Sequence, residues 1–164
     1  MLGVLGFLIA ASVLHISDAA LQEGSTFNRF IENAIALNEK AVQSLPESVF
    51  PMEYLLKEAK ANLEKILVET NVRKKFTLLK SALEKETQGL SKIGVLCEPA
   101  ADCKEARNKA GESRNAIVMA VTEICESKRN EIYDIFTEIK SETELDFEMW
   151  TVGMEVLGVI EDGC

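Results

Sequence analysis

Five side chains in this 164-residue sequence carry chemistry that would first suggest an enzyme or a metal site: His15, the only histidine, and Cys97, Cys103, Cys125 and Cys164. A histidine beside a serine or cysteine can act as a general base, and Cys with His can hold zinc. Position argues against both uses. His15 lies in "VLHISDA", directly after the apolar run from Leu2 to Leu14. That run matches the core of a secretory signal and is shorter than the roughly 20 residues that cross a bilayer. Ser17 and Ala19 meet the small-x-small rule of signal peptidase, although the segment ahead of the apolar run has no Lys or Arg. Residues 1–19 therefore read as a cleaved signal peptide, with Ala20 as the expected mature N-terminus.

On that reading the mature chain works without imidazole. Ser-His-Asp and Cys-His catalysis, and His-ligated zinc or iron, then drop out of consideration. Neither G-x-G-x-x-G nor a GK[ST] phosphate loop occurs, and "ETELDFE" lacks the glycine and ligand spacing of a calcium loop. Acid pairs are plentiful, but acids at helical spacing usually mark a solvated face. No enzyme activity, cofactor or metal is expected.

The cysteines are even in number in a chain expected to be exported, which points to disulfides. Their separations of 5, 21 and 38 intervening residues do not fit paired zinc ligands. Cys103 and Cys125 fall on one predicted helix, about 33 Å apart at 1.5 Å per residue. A bridge needs Cα atoms within about 7 Å. If the chain reverses near Glu142, the C-terminal "EDGC" returns Cys164 to Cys125. Pairing 97–103 with 125–164 is favoured; pairing 97–125 with 103–164 would need a break at Gly111.

These residues must be held by helices. Pro occurs only at 46, 51 and 99, strand-like alternation is absent, and apolar residues recur near every 3.6 positions. The first helix is predicted to start at an N-cap on Ser25, with Phe27, Phe30, Ile31, Ala34, Ile35, Leu37, Ala41, Val42 and Leu45 giving a broad apolar face, and to end at Pro46. From Met52 to Ile93 the apolar phase changes sides. Met52, Leu55, Leu56, Ala59, Leu63, Ile66 and Leu67 share one face; Val72, Phe76, Leu79, Leu83 and Leu90 fall opposite. A straight helix cannot turn both faces to one core, so a turn is expected at Glu69-Thr70-Asn71. Gly94 and "VLCEPAADC" are read as an interruption. A fourth helix is predicted from Pro99 through Ile139, and a last one, carrying Leu145 and Phe147 onward, from a cap at Ser141 or Thr143 in "KSETELD". The fold class is all-α: about five amphipathic helices in an antiparallel, bundle-like arrangement, stapled by two disulfides in the C-terminal half. Residues 20–164 form one expected helical domain.

Composition bounds the partners. With Asp18 removed, 26 acids face 18 bases, a poor match to nucleic acid or anionic membranes. No N-x-S/T sequon and no second apolar run long enough for an anchor are present. Two stretches are candidate surfaces. "NVRKKF" places Arg73, Lys74 and Lys75 together in an acidic protein, either as a basic spot for an acidic partner or as cations near the C-terminal end of the preceding helix. "DFEMWTVGMEVLGVI" places Met149, Trp150 and Met154 among glycines, as an adaptable apolar face, a pocket wall or simple core. Phe76, Tyr54, Tyr133 and Phe50 are candidates to line the same interior. The expected function is a secreted, non-enzymatic helical protein acting by protein–protein contact: an inhibitor, immune-modulating or signalling factor. The alternative is an extracellular carrier of a small hydrophobic ligand such as a lipid or pheromone.

Overall fold

A computed structural model describes residues 25–47, 50–97, 100–139, 145–161 and 163–164. The expected signal peptide with His15, the Ala20 terminus and Pro99 lie outside the described residues. Among those described there are six α-helices and no strand: α1 Thr26–Gln43, α2 Phe50–Val68, α3 Val72–Leu96, α4 Lys104–Ile124, α5 Arg129–Ile139 and α6 Leu145–Val159. Short 3-10 turns, Ala100–Cys103 and Glu126–Lys128, lead into α4 and α5. The all-α bundle and both favoured disulfides are present: Cys97–Cys103, with Cα atoms 6.2 Å apart, and Cys125–Cys164, at 5.2 Å.

The local signals act as their chemistry requires. Ser25 caps α1, its hydroxyl accepting from the Asn28 amide at 3.1 Å. The change of phase between α2 and α3 is a true reversal. Helix α2 stops at Val68, the Glu69 carboxylate accepts from the amides of Thr70 and Asn71 (3.1 and 3.0 Å), and Asn71 caps α3 by accepting from the Lys74 amide at 3.0 Å.

Several boundaries differ from the sequence expectation: α1 ends at Gln43, ahead of Pro46, and α4 begins at Lys104 rather than at Pro99. Gly94 does not end α3, which continues to Leu96. An exposed helical glycine costs only about 1 kcal/mol, and the buried side chains of Ile93 and Cys97 on either side hold the helix in place. The predicted fourth helix is in fact two. Cys125 leaves helical geometry (φ −116°, ψ 59°), and Arg129 turns back so that Nε and Nη2 donate to the Thr122 carbonyl at 3.3 and 3.2 Å. That contact caps one of the carbonyls that a helix end leaves without a partner. The disulfide to Cys164 anchors the same break.

Helix α1 lies mainly along α4, and α2 forms a hairpin with α3. Helix α3 is central: it touches α2, α4 and α6, while α5 packs on α6. Four helices carry buried positions in alternating steps of three and four: 27, 31, 34, 38 and 41 on α1, continued by 45 just past its end; 56, 59, 63 and 66 on α2; 79, 83, 86, 90 and 93 on α3, continued by 97 at its C-cap; 106, 110, 113, 117 and 120 on α4. This is the pattern of helices packed side by side. Most of these positions are apolar. Asn38, Glu86 and Ser113 are not.

Those three residues cut the core in two. On one side a large cluster contains Phe27, Ile31, Leu63, Leu79, Leu83, Ile117, Ile132 and Val156. On the other a smaller, alanine-rich cluster contains Ala41, Leu45, Leu56, Leu90, Ile93, Ala106 and Ala110 and ends on the Cys97–Cys103 bridge.

Candidate functional site

The exposed sides of α3 and α6 form a groove of about 360 Å³. Helix α3 supplies Lys80, Glu84 and Gln88, one per turn, and the α6 end supplies Met154, Leu157, Gly158 and Glu161. Met154 is 45% exposed, large for an apolar side chain. A Cβ on Gly158 would meet nothing within 4 Å, so part of the groove is open. The polar residues are tied to one another. Lys80 Nζ donates to the Glu161 carbonyl at 3.2 Å and lies 5.7 Å from the Phe76 ring centroid, and Gln88 Nε2 donates to Glu84 Oε1 at 3.2 Å.

The candidates read from the sequence scatter around this groove. Met154 is in it. Phe76 is half-buried against the large core and meets the groove only through Lys80. Met149 and Trp150 belong to α6, but their side chains lie outside the described residues, as does that of Phe50. Tyr54 and Tyr133 do not line the interior: they are 50% and 39% exposed. Tyr54 carries Lys92 over its ring at 6.0 Å.

The expected basic triplet is a pair. Arg73 and Lys74 are exposed on the first turn of α3, whereas Lys75 is 1% exposed, with its ammonium 5.3 Å from the Phe27 ring centroid. Lys75 lies one turn before Leu79 on the buried stripe, so the same periodicity that buries Leu79 and Leu83 takes Lys75 inside. Burial lowers its pKa, against the opposing pull of Glu69. The backbone amide bond from Asn71 holds the Glu69 carboxyl below its usual value.

The densest chemistry lies elsewhere, in the layer dividing the core. Asn38 Nδ2 donates to Glu86 Oε2 at 2.6 Å and to the Leu56 carbonyl at 2.9 Å, tying α1 to α3 and α2. Ser113 Oγ donates to the Ala34 carbonyl at 3.0 Å, tying α4 to α1. Arg114 is buried beside the layer, but its Nε and Nη2 donate to Asn115 Oδ1 at 3.2 and 2.7 Å rather than to Glu86. Glu86 Oε1, Asn38 Oδ1, Thr87 Oγ1 and Arg114 Nη1 have no hydrogen-bond partner. Burial, the largest influence, pushes the Glu86 carboxyl up to about 8; the Asn38 and Ser113 side chains and the Arg114 charge pull the other way. Burial likewise lowers Arg114 to about 10, opposed by Glu86. An acid at such a pKa would suit proton transfer, but Glu86 has no exposed surface from which to meet a substrate.

A signal for this layer was available in the apolar spacing. Ala34 to Ala41, Leu83 to Leu90 and Ala110 to Ile117 are each gaps of seven, with one polar residue in register inside each gap. Beside it, Gly153 lets α6 approach: a Cβ there would run into Thr87 Oγ1 and come within 2.7 Å of Thr87 Cγ2.

No group of three or more His, Cys, Asp or Glu among the described residues could hold a metal ion, and no described helix is long and apolar enough to cross a membrane. No family model, curated protein or solved structure matches the chain.

Proposed function

We propose that this chain is a secreted, non-enzymatic binding protein that engages another extracellular protein through the α3–α6 face. The exposed Met154 carries the reading. It lines the groove with Leu157, across from Lys80, Glu84 and Gln88, and protein interfaces combine apolar with polar contacts in this way. Methionine adapts its shape to a partner at little cost. Two disulfides and a 1–19 segment of signal-peptide type support an oxidising destination.

The test starts from the full-length gene in a secreting cell line. The protein should accumulate in the medium, begin at Ala20 and contain no free thiol; a cell-retained product starting at Met1 would overturn the export part. Purified protein should yield no apolar molecule on solvent extraction and take up no fluorescent fatty-acid probe. A ligand recovered in this way would favour the carrier reading instead. Screening against displayed extracellular proteins should give binders that Met154→Glu abolishes; binders indifferent to that change would move the interface off this face.

A further inference from the structure

The buried layer has a property that the binding reading does not use. Glu86 is completely buried between four helices. From α1 the neutral amide of Asn38 donates to it, and the same amide donates to the carbonyl of Leu56 on α2. Ser113, on α4, stands close enough to pull the Glu86 carboxyl down, but its single hydroxyl proton is directed to the Ala34 carbonyl at 3.0 Å rather than to Glu86. Arg114 is the one charged group acting on Glu86, and its hydrogen bonds go to Asn115. On α6 the adjoining residue is Gly153, beside Thr87. The nearby ion pairs Lys60–Glu39 (2.9 Å) and Lys85–Glu58 (3.3 Å) are partly solvated surface contacts. One amide donor and no direct counter-ion are too little to hold a buried carboxylate, which would lose its full hydration on ionising. A protonated carboxyl needs far less.

We propose that Glu86, with Asn38 and Arg114, is a proton-operated latch: protonated it holds α1 and α4 against α3, and on losing the proton it loosens them, so the bundle is tighter in acidic than in alkaline surroundings. The direction follows from linkage. The folded carboxyl keeps its proton up to about pH 8, whereas the unfolded one loses it near 4.5. Between those values the folded state binds the extra proton. Each unit of rising pH therefore lowers this group's contribution to the folding equilibrium constant by up to roughly tenfold, and the loss levels off above the folded value. A paired carboxylate behaves differently: its folded value is depressed, so its contribution is fully present throughout this window and is lost only as the pH falls below its unfolded value.

Urea unfolding of the disulfide-intact chain from about pH 5 to about pH 9 tests this, comparing wild type with Glu86→Gln. Glutamine keeps the shape and the Asn38 contact but cannot ionise. The ratio of the two folding constants should fall by roughly a thousandfold from the acid to the alkaline end; a ratio that stays constant with pH overturns the latch. A second measurement needs no variant. At about pH 6.5 the surface carboxyls are ionised, so infrared spectra of the wild type in D2O should retain the band of one protonated carboxyl, lost as the pH passes about 8. Absence of that band at about pH 6.5 overturns the latch as well.

Discussion

The two halves of the core reach stability by different means. The large cluster takes leucine, isoleucine, valine and phenylalanine from α1 through α6 and closes around them. The small cluster sets three alanines, Ala41, Ala106 and Ala110, beside Leu45, Leu56, Leu90 and Ile93, and at its far end the chain is stitched by Cys97–Cys103. Alanine contributes little apolar area, at roughly 25 cal/mol per Å² buried. A covalent link stands where packing is thinner. The second disulfide does a different job: Cys125–Cys164 ties the end of α4 to the tail after α6 and so secures α5 and α6, which form one edge of the large cluster. The lesson is that disulfides here complement side-chain packing rather than duplicate it.

Five variants would break or sharpen that contrast. The largest loss is expected from Cys125→Ser with Cys164→Ser. Opening a loop of sequence separation 39 should cost about 4 kcal/mol by chain entropy, read as a lower urea midpoint with α5–α6 amides exchanging first. Next comes Leu83→Ala in the large cluster, at about 3 kcal/mol, against a smaller loss for Leu90→Ala in the small one. Equal losses would mean that the two clusters are packed alike. Cys97→Ser with Cys103→Ser should cost about 2 kcal/mol, since the separation is only 6, and should make a following Leu90→Ala more costly than it is in the intact protein. A double-mutant cycle measures that coupling. The smallest effect is expected at Lys57, paired with Glu53 at 2.6 Å on the surface of α2: Lys57→Ala should change stability by under about 0.5 kcal/mol, and a larger change would show that surface charge does part of what is assigned here to the core.

Much of the fold was legible because periodicity and chain reversal are local signals. Ser25, the phase change across Glu69–Asn71 and the cysteine reach argument all depend on residues close in sequence or on helix geometry alone. The break at Cys125 was less visible, because Ile124 and Ile132 keep the apolar spacing on both sides of it; the cap that makes it, Arg129 on the Thr122 carbonyl, is a tertiary detail. The candidate site was legible only in Met154. Lys75 was read as surface because its neighbours Arg73 and Lys74 are, although its spacing to Leu79 assigned it to the core. By residue type alone, Glu86 does not differ from the many acids at helical spacing on solvated faces. What marks it is the coincidence of three gaps on three helices, and a single helix read alone does not show it. A buried polar residue of this kind also fixes register: sliding α1 by one turn would leave Asn38 opposite leucine and Glu86 opposite alanine, at a cost of a buried polar group without a donor.

Cys125–Cys164 also changes what a cut in the backbone can do. The polypeptide from 125 to 164 is a closed ring in the covalent graph. A protease that severs one peptide bond anywhere within it, including the connection between α5 and α6, releases no fragment: both new ends stay joined through sulfur. The same single cut between α1 and α2, or between α2 and α3, divides the molecule into two pieces held only by their contacts. A protein meeting extracellular proteases would therefore outlast nicks on one side of its structure and not on the other, and gels run with and without reductant after limited digestion would show which side had been cut.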